Sequence, residues 1–171
     1  MKTRAQTAID FGWKPILALS LSTTFALCVY LFAQSQVLGS TNREIVVDPA
    51  TGVALYGFDP VAYFVDGKAR QGDDAFERRW SGASWRFVNQ GNMQAFFDAP
   101  TVYCPRYGGY GALSVSKGLT TAGKPVFFEI YDGKLYFFYS HANRLIWLNN
   151  PKIYIAEANK KWQNVKSTLS K

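Results

Sequence analysis

The distribution of apolar positions changes character along the chain. From Pro15 to Asn42 there is no charged residue, and 15–33 (PILALSLSTTFALCVYLFA) is apolar on every side, interrupted only by Ser20, Ser22, Thr23 and Thr24. A helix of about 20 such residues spans ~30 Å, the thickness of a bilayer's hydrocarbon core. The hydroxyls can bond back to the helix's own carbonyls, so lipid tolerates them. The pattern predicts a transmembrane helix over 15–34, preceded by a tail (1–14) and followed by a short polar tether (35–45) and a domain over 46–171. Within that domain short apolar runs come in pairs. Runs at 76–80 and 84–88 flank Ser81-Gly82-Ala83, and runs at 126–131 and 134–139 flank Asp132-Gly133. Asp-Gly suits a two-residue hairpin turn, whose central positions need positive φ. Each hairpin leads into a helical stretch, about 91–98 in the first case. The second starts at Ser140 as cap and ends by Asn149. A last helix, to about Lys166, follows Asn150 as cap and Pro151 in its first turn.

The two hairpin-helix stretches match at a spacing of 51 residues without a gap. Phe76 corresponds to Phe127, Trp80 to Tyr131, Gly82 to Gly133, Trp85 to Tyr136 and Phe87 to Phe138. The register continues through Asn92 and Asn143, Phe96 and Trp147, Pro100 and Pro151, Tyr103 and Tyr154. Chance supplies aromatic matches in an aromatic chain, but rarely Gly, Asn and Pro in the same register. The expectation is an internal duplication. Two copies are too few for a solenoid, so the ββα units should pair into one compact α+β domain closed by the C-terminal helix.

Charge sets the topology. Lys2, Arg4 and Lys14 precede the apolar segment, and only Arg43 follows closely, so the positive-inside rule places the N-terminus in the cytoplasm and exports the domain. Val37-Leu38-Gly39 resembles a cleavage site, but the apolar core runs long for a cleaved signal, so a signal anchor is expected. The whole chain has 19 Lys and Arg against 12 Asp and Glu. These charges are scattered, which suits a solvated surface and gives no ground for a nucleic-acid partner. Of the two cysteines, Cys28 lies in the apolar segment, leaving Cys104 alone in the domain, with no intradomain disulfide.

The unit resembles the YHS domain, a small module of metal-handling proteins and of bacterial exported proteins. The matching residues are Asp59-Pro60-Val61, then Gly82, Trp85, Phe87, Phe96, Pro100 and Tyr103. The stretch 56–162 is similar to a bacterial exported subgroup, through 57–64 (GFDPVAYF), Tyr107-Gly108-Gly109-Tyr110 and the closing 154–162. The resemblance implies a bacterial inner-membrane protein with a periplasmic domain. It also suggests copper or heavy-metal handling, but the cysteines of that branch would fall at Ala62, at Val88 and Asn92, and in the second unit at Tyr139 and Asn143. The subgroup's Cys after Gly-Gly-Tyr would fall at Gly111. None of these can be a thiolate ligand, so no metal site carries over and no cofactor is predicted.

His141, the single histidine, sits beside a helix cap, where a half-exposed imidazole needs no function; alone with Cys104 it falls short of the three or four ligands a zinc or copper site draws. Arg106 near Cys104 could lower its thiol pKa if the sulfur is exposed; a buried small hydrophobe is the alternative. The loop at 107–112 (YGGYGA) exposes N–H groups and permits close backbone approach, but lacks phosphate-loop and dinucleotide spacing. There is no Gly-x-Ser-x-Gly elbow, and nothing requires an enzyme. The reading is an exported binding module, held by the bilayer through 15–34, whose small ligand or exported protein partner meets Tyr107, Gly108, Gly109, Tyr110, Tyr139 and His141. Metal handling is the alternative, and thiol redox chemistry through Cys104 the third reading.

Overall fold

Each hairpin is closed by a two-residue turn with both residues in the left-handed region, Ser81 and Gly82 at φ 49° and 84°, Asp132 and Gly133 at φ 51° and 63°. The sequence pattern extended the first turn to Ala83; that residue instead opens the second strand, so the two turns are alike. A computed structural model describes residues 44–169. The predicted tail, the predicted span at 15–34 and most of the tether lie outside the described residues. Among the described residues no helix is long and apolar enough to cross a membrane.

The architecture is α+β. A 3-10 turn (Leu55–Gly57) and a short helix α1 (Ala62–Val65) precede the antiparallel pair β1 (Asp73–Trp80) and β2 (Ala83–Phe87), followed by α2 (Gln90–Asp98) and α3 (Pro100–Tyr103). The series repeats as a 3-10 turn (Arg106–Gly109), α4 (Ala112–Ser116), the antiparallel pair β3 (Lys124–Tyr131) and β4 (Lys134–Phe138), α5 (His141–Leu148) and the long α6 (Pro151–Leu169). Both first strands begin earlier than their apolar runs suggested, because each carries an irregularity. Asp73 faces Phe87 and Glu77 faces Arg86; in the second pair Lys124 faces Phe138 and Phe128 faces Phe137. The bulge accommodates Pro125, which has no N–H to give to a ladder.

The duplication extends to ring geometry. Trp80 meets Phe96 edge-on at 5.5 Å and 89°, as Tyr131 meets Trp147 at 5.6 Å and 87°. Trp85 lies tilted on Phe96 at 4.9 Å, and Tyr136 on Trp147 at 5.1 Å. Phe87 to Phe96 and Phe138 to Trp147 are both 5.3 Å. Both α2 and α5 are capped in the same way: the Asn89 side chain accepts from the Asn92 N–H at 2.8 Å, and Ser140 Oγ from the Asn143 N–H at 3.2 Å.

The copies differ in how their second strands are used. On β2, Ala83, Trp85 and Phe87 are buried while Ser84 and Arg86 are half-exposed. On β4, Leu135 and Phe137 join the first unit's core, and Tyr136 and Phe138 form the second core with Trp147, Tyr107, Leu113 and Ala158. β4 is therefore the wall between the two cores. Tyr63 crosses from α1 to the second unit, edge-on to Phe128 and Phe137 at 4.7 and 5.2 Å, with its hydroxyl donating to the Pro125 carbonyl at 3.1 Å.

Candidate functional site

In each unit the loop before the first short helix meets the end of the second strand at a corner. In the first unit that corner is built around Asp59, which is 0% exposed. Its Oδ1 accepts from the N–H groups of Val61 and Ala62, at 2.8 and 3.3 Å, and its Oδ2 from the Val88 N–H and Asn92 Nδ2, at 2.8 and 2.7 Å. Four donors compensate the desolvation of one carboxylate, which joins the loop, β2 and α2. The sequence suggested only that Asp59 closes a turn; the bonds to residues 29 and 33 positions away are tertiary.

The glycine loop is the second unit's version of the same feature, displaced by 52 residues, one more than the hairpins. Leu55, Tyr56 and Gly57 have φ of 52°, 56° and 82°, and Tyr107, Gly108 and Gly109 have φ of 57°, 60° and 90°. The Asp59 N–H donates to the Arg70 carbonyl at 2.9 Å, and the Gly111 N–H to the Thr121 carbonyl at 2.8 Å. Gly111 thus stands where Asp59 stands, Tyr139 where Val88 stands, and Asn143 where Asn92 stands. The one-residue offset hid this match from the gap-free alignment.

The sequence-predicted residues separate onto two sides of the loop. Gly108 is pressed on the segment at 44–46: a Cβ there would sit 1.7 Å from the Glu44 carbonyl oxygen, and the Gly108 carbonyl accepts from the Val46 N–H at 2.8 Å. Gly109 is buried, and a Cβ on it would be 2.8 Å from Leu55 Cδ2. Tyr107 is buried in the second core, its ring 5.6 Å from Trp162, and its hydroxyl donates to Asn159 Oδ1 at 3.0 Å. Burial raises that phenol's pKa to about 12. Tyr110 is half-buried, 6.3 Å from Trp162. On the other side, Gly111 adjoins Tyr139: a Cβ on Gly111 would be 3.5 Å from the Tyr139 nitrogen. Tyr139 is 49% exposed, with the Lys124 ammonium 4.9 Å from its ring centroid, and His141 is exposed at the first turn of α5. The loop-side residues serve packing; at the corner Gly111 is buried and Asn143 half-buried, while Tyr139 and His141 face solvent.

Cys104 is half-buried at the end of α3, and burial pushes its thiol up to about 12, so at neutral pH it is a thiol rather than a thiolate. It lines a cavity of about 180 Å³ with Trp80, Trp85 and Trp162. A more polar groove of about 620 Å³ in the second unit is lined by Tyr131, Asp132, Ile155 and Asn159, the counterparts of Trp80, Ser81, Cys104 and Gly108. Among the described residues no three His, Cys, Asp or Glu side chains gather where they could share a metal ion. Ala62 is buried in α1, Val88 gives only its N–H to Asp59, and Asn92 gives its amide, so the positions of the metal-handling cysteines belong to the Asp59 cage. Comparison with family models, characterised proteins and solved structures gives no match.

Proposed function

We infer that this chain is an exported, membrane-anchored binding module of YHS type, with its ligand taken at the corner of the second unit. The observation that carries the reading is the asymmetry between two otherwise matching corners. In the first, the chain's own buried carboxylate occupies the corner and Val88 is half-buried. In the second, Gly111 contributes no side chain and an aromatic ring stands half out of the fold. A duplicated feature that holds the chain's own carboxylate in one copy and lacks it in the other is a natural place for an external group. Tyr139 offers a flat surface and a hydroxyl, His141 a donor or acceptor, and Lys124 a positive charge.

The anchor and its orientation rest on the uncharged segment at 15–34 and the Lys/Arg asymmetry around it. The YHS resemblance rests on the Asp-Pro-Val and aromatic positions already named. Thiol redox chemistry is the weaker reading, because burial keeps Cys104 protonated. The experiment is ligand retention: native mass spectrometry of the detergent-extracted full chain, beside Tyr139→Ala. The reading expects a bound species on the wild-type chain that the variant loses at unchanged melting temperature. A ligand kept equally by both proteins would move the site away from this corner.

A further inference from the structure

The first unit is an internal template for what the second would hold. Aligning the corners on their shared bonds places the N–H groups of Leu113, Ser114 and Tyr139 and the side chain of Asn143 where Val61, Ala62, Val88 and Asn92 grip the Asp59 carboxylate. Gly111 removes the carboxylate. A Cβ there would have only ordinary contacts, 3.4 Å to the Thr121 oxygen and 3.5 Å each to Ser114 Oγ and the Tyr139 nitrogen.

Two further observations point to a ligand. Ser114, 8% exposed as a residue, replaces the first unit's Ala62 and brings a hydroxyl to this corner, 3.5 Å from where a Gly111 Cβ would sit. Neither that hydroxyl nor the Tyr139 N–H makes a hydrogen bond among the described residues. The charges around the corner also change sign between copies. Asp73 becomes Lys124 and Gln90 becomes His141, while the internal anion Asp59 becomes Gly111. The corner that has lost its own negative charge has gained a cation beside it.

We propose that the second corner binds the carboxylate of a small organic acid, held by the Tyr139 N–H, Ser114 Oγ and Asn143, with Lys124 supplying the complementary charge. The carboxylate takes the planar, two-oxygen role that Asp59 plays in the first unit. This rests on the binding-module reading above and narrows it to a ligand class. An incoming acid reaches the cage from the Tyr139 and Asn143 side, since in the first unit the bonds from Val88 and Asn92 are the partly exposed ones.

The test is an acetate titration of the 15N-labelled full chain in detergent, at ionic strength held constant with chloride, followed through the amide resonances. Saturable shifts at Tyr139 and Ser114 are expected. Asn143→Ala should weaken the response about tenfold or more, because a donor to a charged acceptor is lost. Its melting temperature should not change, since the helix cap uses the Asn143 backbone N–H and not its side chain. Gly111→Asp should reproduce the Tyr139 shift without acetate and abolish the titration, its own carboxylate filling the cage. A linear response no different from that to chloride, or a stronger one to inorganic phosphate, overturns the proposal. If that negative result comes with a non-acidic ligand lost by Tyr139→Ala in native mass spectrometry, the carboxylate assignment falls and the binding module stands. If no ligand is retained either, both fall.

Discussion

Asp59 shows how much one buried side chain can organise. Replacing it with Ala would leave the Val88 N–H and the Asn92 amide without their acceptor in a partly buried place, at a cost of about 2–4 kcal/mol. Asp59→Asn should cost less, because an amide oxygen can still accept, and chemical denaturation of both variants checks the order. Cys104 carries a pH prediction. An unfolded thiol titrates near 9.0 and the folded one near 12. Below pH 9 both states hold the proton. From there upward the unfolded chain loses it first and so binds fewer protons, so stability must fall as pH rises. The phenol of Tyr107 adds to the same decline above pH 10. Melting temperatures between pH 8 and 11 should drop for the wild-type chain, and less steeply at the onset for Cys104→Ser. Alkylation of Cys104 at neutral pH should be slow until denaturant is added.

Among the elements, the glycines of the turns separate backbone preference from packing. Gly108 and Gly133 have nearly the same left-handed φ, 60° and 63°. A Cβ on Gly133 meets nothing within 4 Å, so Gly133→Ala should cost only the conformational strain, about 1–2 kcal/mol. Tyr56 adopts the same conformation in the equivalent loop, which shows that φ alone does not demand Gly108. The Glu44 carbonyl at 1.7 Å from its hypothetical Cβ does. Gly108→Ala should therefore destabilise well beyond Gly133→Ala, and a comparable loss in both would contradict the close approach. Trp85 and Tyr136 hold equivalent places on their helices, and truncating either to Ala should cost about 3–5 kcal/mol.

The described domain is held together by sharing, since β4 gives alternate residues to two cores. The first unit does not enclose its own apolar surface, because its core is completed by Leu135 and Phe137 of the second. Heating should give one transition, coincident by circular dichroism and by tryptophan fluorescence, although Trp85 and Trp147 report on different cores. Two resolved transitions would mean independent units. A reporter fused after Lys171 that works only outside the cytoplasm tests the orientation; activity from a cytoplasm-requiring reporter instead would reverse it.

Hairpins, helix caps and duplication were legible in the sequence because each depends on neighbours a few residues apart, or on a spacing that can be counted. Asp-Gly, Ser140 and Pro151 act locally, and alternating aromatics mark a strand wherever it packs. The equivalence of the glycine loop with 55–57 was not legible, since a one-residue offset breaks the register while the backbone bonds persist. The tertiary structure alone decided that Tyr107 enters the core, that Gly108 is needed where the chain at Glu44, more than sixty residues earlier, passes against it, and that Asp59 reaches Val88 and Asn92. These depend on which segments meet in space, and a buried hydrogen-bonding group takes its partner from there, whatever the distance along the chain.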